Sequence, residues 1–119
     1  MRTRRLILAI AGALAIAAVT AIAVQAATTV SLKTVKTRLA FNTKTLHAVH
    51  GKVTIKMTNI APIKHGIAVQ GHGVNKRGKI VGLNKTSTLT VTLKKGTYTF
   101  YCPVQGHRAA GMQGKLIVR

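Results

Sequence analysis

Apolar and polar side chains alternate along most of the chain after residue 26. Val53, Ile55 and Met57 alternate with polar residues in the stretch Lys52–Asn59, and Thr86–Leu93 has the same period. This two-residue period, with many Thr and Val residues, is typical of antiparallel strands that bury one face and expose the other. Other stretches of this kind are Val30–Lys33, Arg38–Asn42, Ile67–Val69, Gly96–Cys102 and Gly114–Val118. Glycines separate the stretches, so the pattern predicts an all-β domain, a small sandwich of short strands.

The first 26 residues have a different pattern. Three arginines near the N-terminus precede an apolar run, Leu6–Val24, which is followed by the small residue Ala26. A basic start, an apolar middle and a small residue at the end are typical of a secretory signal peptide. We predict a helical signal peptide at residues 1–26, cleaved after Ala26, and an exported domain at residues 27–119. The alternative is a retained membrane anchor, because the run approaches the roughly 20 residues that span a bilayer.

The charge balance excludes several classes of function. The chain has 19 Lys and Arg residues and no Asp or Glu, which gives a formal net charge of +19. Glycosidases, aspartic proteases and enzymes with a Ser-His-Asp triad all need catalytic Asp or Glu side chains, so these classes are excluded. Hard cations such as calcium also lack their preferred oxygen ligands. We therefore predict that the protein is not an enzyme, and that any metal is held by His, Cys or Met side chains.

The positive charge also restricts the partners. A field of this sign attracts acidic proteins and anionic membrane surfaces. The basic residues are spread through every segment, and only two Tyr, two Phe and no Trp are present to stack on bases. This argues against specific nucleic-acid binding. We expect a monomer that meets an acidic protein or an anionic membrane surface.

The single cysteine lies in the stretch YCPVQGHRAAGM. One cysteine cannot form an intrachain disulfide, and a lone thiol in an exported protein needs to be buried or bound. His107 and Met112 follow Cys102 on one loop, and His65 lies in an earlier segment. A thiolate, two imidazoles and a weak thioether suit copper in electron transfer. Each residue alone has a simpler interpretation, such as a buried cysteine, a turn histidine or a core methionine, but their shared order and spacing favour the metal.

Three longer stretches, GKVTIKMTN, GTYTFYCPVQGH and GMQGKLIV, resemble the cupredoxins, the small blue type 1 copper proteins. The Cys-x4-His-x4-Met loop is similar to that of auracyanin-like and rusticyanin-like members rather than to the shorter loop of plastocyanin. The resemblance implies a Greek-key β-sandwich of about seven to eight strands. It also implies one copper ion, cycling between Cu(I) and Cu(II), with the ligands His65, Cys102, His107 and Met112. Many members follow the first histidine with an asparagine that braces the ligand loop, whereas this chain has Gly66.

These features together predict a periplasmic, cell-surface or secreted carrier of single electrons between redox proteins. We expect His107 to be the ligand nearest solvent, inside an apolar rim that lets a partner dock closely and leave quickly. The predicted docking residues are Pro62, Ile63, Pro103, Val104, Ala109 and Ala110. Two alternatives remain open. One is a copper-binding or copper-delivery protein without a redox partner, and the other is a polycationic sandwich that binds anionic surfaces.

Two further histidines have the spacing for a second metal site. His47 and His50 lie close together in LHAVHG, but their position next to Gly51 favours solvent-exposed residues near a turn. His72 lies between two glycines and has no predicted partner.

Overall fold

Eight β-strands in two sheets make up the folded part of the protein. The computed structural model describes residues 9–21 and 27–119. The strands are β1 (Ala27–Lys33), β2 (Thr45–Ala48), β3 (Gly51–Thr58), β4 (Ala68–Gly71), β5 (Val74–Arg77), β6 (Thr86–Leu93), β7 (Gly96–Tyr101) and β8 (Gln113–Val118). No α-helix occurs among the described residues. The predicted all-β sandwich of seven to eight strands is therefore confirmed.

The two sheets have different sizes and mixed strand directions. One sheet has three strands in the order β1-β3-β6, and the other has five in the order β2-β8-β7-β4-β5. Strands β1 and β3 pair in parallel, as do β2 and β8, whereas the remaining pairs are antiparallel. The predicted antiparallel arrangement is thus correct for most pairs and wrong for these two. Parallel and antiparallel half-buried strands share the same two-residue period, so the sequence pattern does not distinguish them.

The alternating residues occupy the two faces as the sequence predicts. Val53, Ile55 and Met57 on β3 have no solvent exposure. On the outer face, Thr54 lies opposite Thr90 on β6, and their hydroxyl oxygens are 3.0 Å apart. Burying an aliphatic side chain of this size contributes about 1.5–3 kcal/mol, so the inner face holds the sheet in place against its partner.

The second sheet contributes the aromatic part of the core. Phe100 on β7 is fully buried, and its ring centroid lies 5.6 Å from that of Phe41. Leu116 and Val118 on β8 turn inward, as predicted. The C-terminal end of β7 and the start of β8 consequently meet at one end of a well-packed sandwich, where the loop between them is anchored.

Three strand predictions differ from the structure. Arg38–Asn42 is not a strand, because its backbone bends and makes only an isolated bridge between Phe41 and Thr34. The strand β2 was not predicted, since four residues are too few for a clear alternation. The strand β5 was also missed, because this edge strand exposes three polar or charged residues and buries none.

The described part of the N-terminal segment is not helical. Residues 9–21 have no regular secondary structure and are exposed, so the helix predicted for the signal peptide is not present in them. A helix in a protein gains most of its stability from packing against the rest of the fold. The side chains of residues 9–21 are exposed and lack this packing. The rest of the predicted signal, residues 1–8 and 22–26, lies outside the described residues. Within the described part of the chain, no helix is long and apolar enough to cross a membrane. The cleavage after Ala26 stays a prediction.

Candidate metal centre

His65 is held by a short bridge outside the named strands. Its backbone N–H donates to the carbonyl oxygen of Val81 at 3.1 Å, and Val81 N–H donates back to His65 at 2.8 Å. The segment before β4 thus carries the imidazole inward, and the side chain is fully buried.

The other three candidate ligands lie on the loop between β7 and β8. Cys102 N–H donates to the carbonyl oxygen of Met112 at 3.0 Å, and Met112 N–H donates to that of His107 at 3.1 Å. Gly106 and Gly111 have φ angles of +82° and +105°, which side chains rarely adopt and which close the turns of this loop. The backbone therefore fixes the spacing of the three residues before any metal is considered.

Three of the four candidate side chains, those of His65, Cys102 and His107, lie close together. The sulfur of Cys102 lies 3.8 Å from Nδ1 of His65 and 3.6 Å from Nδ1 of His107. The two Nδ1 atoms are 3.2 Å apart. Among the described residues, these three form the one group of at least three His, Cys, Asp or Glu residues whose donor atoms lie together, all within 4.8 Å. Met112, fully buried, adjoins the group through its backbone bonds to Cys102 and His107.

This donor set fits copper. A first-row ion bonds imidazole nitrogen at about 2.0 Å and thiolate sulfur at about 2.3 Å, so ligand atoms that share one ion lie roughly 3–4 Å apart. The three measured separations fall in that range. Two imidazoles, one thiolate and a thioether form the ligand set that favours copper, and the chain has no carboxylates to favour a harder ion.

Burial changes the protonation chemistry of two of these groups. It raises the pKa of the Cys102 thiol, whereas backbone hydrogen bonds from Gly66 and Val104 act in the opposite direction. Burial also lowers the pKa of His65, and the charge of His107 lowers it further. Burial therefore favours the neutral imidazole of His65, the form that binds metals, and a bound ion would displace the proton of the Cys102 thiol.

A side chain at position 66 would be crowded. A Cβ atom at this position would lie 3.2 Å from both the carbonyl oxygen of Lys79 and the ring of Pro103. The ring of Pro103 occupies the space that a side chain would need. Nε2 of His65 is also buried without a hydrogen-bond partner among the described residues, although a metal-bound histidine usually donates from its second nitrogen. The support for His65 therefore comes from elsewhere.

Asn59 provides much of that support, and the sequence analysis missed it. This fully buried side chain accepts hydrogen bonds from Thr34 Oγ1 at 3.1 Å and Ala61 N at 2.9 Å. It donates to the carbonyl oxygens of Ile63 at 2.8 Å and Val81 at 3.0 Å. All four hydrogen-bonding positions of the amide are used, and they link both sides of the His65 bridge to Thr34, the residue directly after β1. The only sequence signal was an asparagine directly after a strand.

The predicted docking residues lie on the two segments that carry the ligands. His107 is partly exposed, in contrast to the other three ligands. Pro62, Ala109 and Ala110 are exposed, and Ile63 is 49% exposed. Pro103 and Val104 are half-buried. All six residues are thus at least partly accessible. Their arrangement as a rim around His107 and its use by a partner stay predictions.

The remaining histidines lie outside the group of three metal-binding residues. His50 is exposed, with its N–H 2.8 Å and its Nδ1 3.0 Å from the carbonyl oxygen of Arg119. His47 is exposed on β2, and the ring of His72 packs edge-on against Tyr98 with the centroids 4.9 Å apart. Neither His47 nor His50 belongs to a metal-binding group within the residues that the structure describes. The hypothesis of a second metal site gains no support.

Residues 6–118 match the model of the cupredoxin-like domain family. The chain belongs to this family, which confirms the resemblance seen in the sequence.

Solved structures share the same fold. Auracyanin from the photosynthetic bacterium Roseiflexus castenholzii is 22% identical with a TM-score of 0.69, over 76% of this chain and 96% of that one. Auracyanin A from Chloroflexus aurantiacus, described as a "blue" copper protein, is 23% identical with a TM-score of 0.68, over 79% and 100%. A variant of amicyanin in its reduced Cu(I) form is 20% identical with a TM-score of 0.58, over 76% and 82%.

Proposed function

We propose that this protein binds one copper ion through His65, Cys102, His107 and Met112 and carries single electrons between redox partners outside the cytoplasm. The observation that carries the proposal is the convergence of three metal-binding atoms, from two separate segments, within 4.8 Å of one another. Copper bound there supplies a reversible Cu(II)/Cu(I) couple. Two solved relatives support the choice of metal, since one is described as a blue copper protein and another as a Cu(I) form.

The protein's part in electron transfer is to hold the ligands still. The backbone bonds of the Cys102–Met112 loop and the His65 bridge limit how far the donor atoms move. Small movement between the two oxidation states means a small reorganisation energy and fast exchange. Burial of Cys102 and Met112 also keeps water from the sulfur atoms, which protects the thiol from oxidation.

His107 is the proposed exit for the electron. It is the one candidate ligand that solvent partly reaches, and exposed apolar residues of its own loop lie close to it in sequence. A small apolar contact suits a brief encounter. Sixteen of the 19 basic residues lie in residues 27–119, and their positive field steers an acidic partner toward the protein. The proposed partner is therefore an acidic redox protein.

Copper loading of the purified protein tests the proposal. Addition of Cu(II) should give one equivalent of bound metal and an intense blue thiolate-to-copper absorption. Cys102→Ser should abolish this absorption, because a hydroxyl cannot replace the thiolate in the charge-transfer transition. His47→Gln is the matched control and should keep it. A wild-type protein that stays colourless, or a Cys102→Ser variant that turns blue, would overturn the assignment.

Redox measurements separate the carrier from a copper-delivery protein. A carrier should show reversible voltammetry, rapid electron self-exchange and slow loss of copper to a chelator. Slow self-exchange combined with ready copper loss would favour delivery instead.

A further inference from the structure

The side chain of Arg108 lies across the outer face of the five-stranded sheet, next to the candidate copper ligands. Its guanidinium carbon is 4.3 Å from the ring centroid of Tyr101. Its Nη1 donates to Oε1 of Gln70 at 2.7 Å, and its Nε donates to Oε1 of Gln113 at 3.2 Å. We call Arg108, Tyr101, Gln70 and Gln113 the arginine tie.

Each ligand of the β7–β8 loop has a neighbour in the arginine tie. Tyr101 precedes Cys102, Arg108 follows His107, and Gln113 follows Met112. Tyr101 and Gln113 face each other directly in the register of β7 and β8. Along a strand, successive side chains point to opposite faces, so Cys102 and Met112 point inward while their neighbours point outward.

Gln70 extends the contact to a third strand. It lies on β4, two residues from Ala68, which pairs with Tyr101. The hydroxyl of Tyr101 also donates to Oδ1 of Asn75 on β5, at 3.1 Å. One arginine therefore links the loop to β4, β7 and β8, and its tyrosine partner reaches the edge strand. Tyr101 is only 4% exposed although it lies on the outer face, and the guanidinium of Arg108 stacks over its ring.

We infer that Arg108 is a positioning residue, which fixes the three loop ligands relative to one another through the arginine tie. This inference rests on the proposed copper site. The planar guanidinium donates in two directions while it stacks on a ring, which a lysine ammonium cannot do. Since the chain has no Asp or Glu, the acceptors are neutral amide oxygens, and no acceptor in the arginine tie changes its charge near neutral pH.

Two substitutions separate geometry from charge. Arg108→Gln removes both the positive charge and the planar guanidinium with its two donors. Arg108→Lys keeps the charge but also removes the guanidinium. Lys115→Gln is the matched control, because Lys115 is an exposed cation on β8 whose side chain has no hydrogen bond among the described residues. Gln70→Ala removes a single acceptor and serves as the second variant if Arg108→Gln does not fold.

The first measurement needs no copper. In the copper-free protein, amide hydrogen exchange at Cys102 and Met112, whose N–H groups close the loop, should accelerate in both Arg108 variants. Loss of one of the two side-chain hydrogen bonds of Arg108 predicts a factor of about five, which is the smallest acceleration that we expect. Exchange on β3 and β6 should not change, and neither should exchange anywhere in Lys115→Gln. Unchanged loop exchange in both Arg108 variants would overturn the inference.

The second measurement uses the copper-loaded protein. Both Arg108 variants should shift the copper hyperfine splitting in electron paramagnetic resonance and should lose copper to a chelator about five times faster, by the same hydrogen-bond factor. If Arg108→Lys behaves like the wild type while Arg108→Gln does not, charge alone is responsible and the inference is wrong. A wild-type protein that binds no copper would instead refute the proposed function, and the exchange measurement would still decide whether the tie orders the loop.

Discussion

At the scale of single residues, the candidate ligands differ in what their replacement should do. Met112 is fully buried, so leucine can replace it with little change in volume. In blue copper sites a thioether is a weak ligand that tunes the copper potential, whereas a thiolate is needed for the colour. The fourth ligand is therefore the position at which the potential can be changed without loss of the site.

Two substitutions of Met112 should move the reduction potential in opposite directions. Met112→Leu removes an electron donor, which destabilises Cu(II) more than Cu(I) and raises the potential. Met112→Gln supplies an oxygen donor, which stabilises Cu(II) and lowers it. We expect each shift to reach about 60 mV, a tenfold change in the one-electron equilibrium constant. Voltammetry of the blue variants measures both shifts, and shifts of the same sign would show that Met112 is not the axial ligand.

At the scale of structural elements, the two ligand-bearing segments are held by different means. The β7–β8 loop closes on itself through backbone bonds, while the His65 segment depends on the side chain of Asn59. Replacement of a buried amide that satisfies four partners leaves several polar groups without a hydrogen bond. The His65 segment should therefore be the more sensitive of the two to a single substitution.

Asn59→Ala tests this dependence. We expect the free energy of unfolding of the copper-free protein to fall by roughly 2–4 kcal/mol, from the buried groups left unsatisfied. Asn42→Ala, which removes one exposed hydrogen bond to the N–H of Lys33, should cost less than about 1 kcal/mol. Urea unfolding gives both values. Equal losses in the two variants would contradict the role assigned to Asn59.

The sequence predicts the features that leave a repeated or chemically distinctive pattern, and it misses those that depend on a single residue. The strands β3, β6, β7 and β8 were predicted because alternation records burial on one face. The candidate ligands were found because their chemical types and spacing are distinctive. Asn59 and Arg108 were missed, since a single buried amide or a single stacked arginine leaves no periodic trace. Their roles depend on which distant residues the fold brings to them, such as Val81 and Gln70.

At the scale of the whole molecule, charge is the dominant feature. With 19 basic residues and no acidic ones, charged side chains only repel one another, and the field is positive on every side. Such a field raises the encounter rate of anions and lowers that of cations. Salt screens exposed charges, with a Debye length of about 10 Å at 0.1 M, so both effects should weaken as ionic strength rises.

The salt dependence of electron transfer to small oxidants of opposite charge tests whether the electron leaves at His107. Oxidation of the Cu(I) protein by anionic ferricyanide should slow as salt is added, whereas oxidation by a cationic tris(phenanthroline)cobalt complex should accelerate. Stopped-flow appearance of the blue colour measures both rates. The two salt slopes should have opposite signs, because the same field attracts one reagent and repels the other.

The place where the electron leaves can be found by comparing two lysines for their effect on the salt dependence of the ferricyanide reaction. Lys64 is exposed and directly precedes the candidate ligand His65. Lys94 is exposed near the start of β7, at the opposite end of the strand from Cys102. Lys64→Gln should flatten the ferricyanide slope more than Lys94→Gln, although each removes one charge, because electrostatic influence falls with distance over a Debye length. If the two variants flatten the slope equally, only the net charge acts and the electron need not leave beside His107. A larger effect of Lys64 would place the exchange at the end of the sandwich where the four ligands meet.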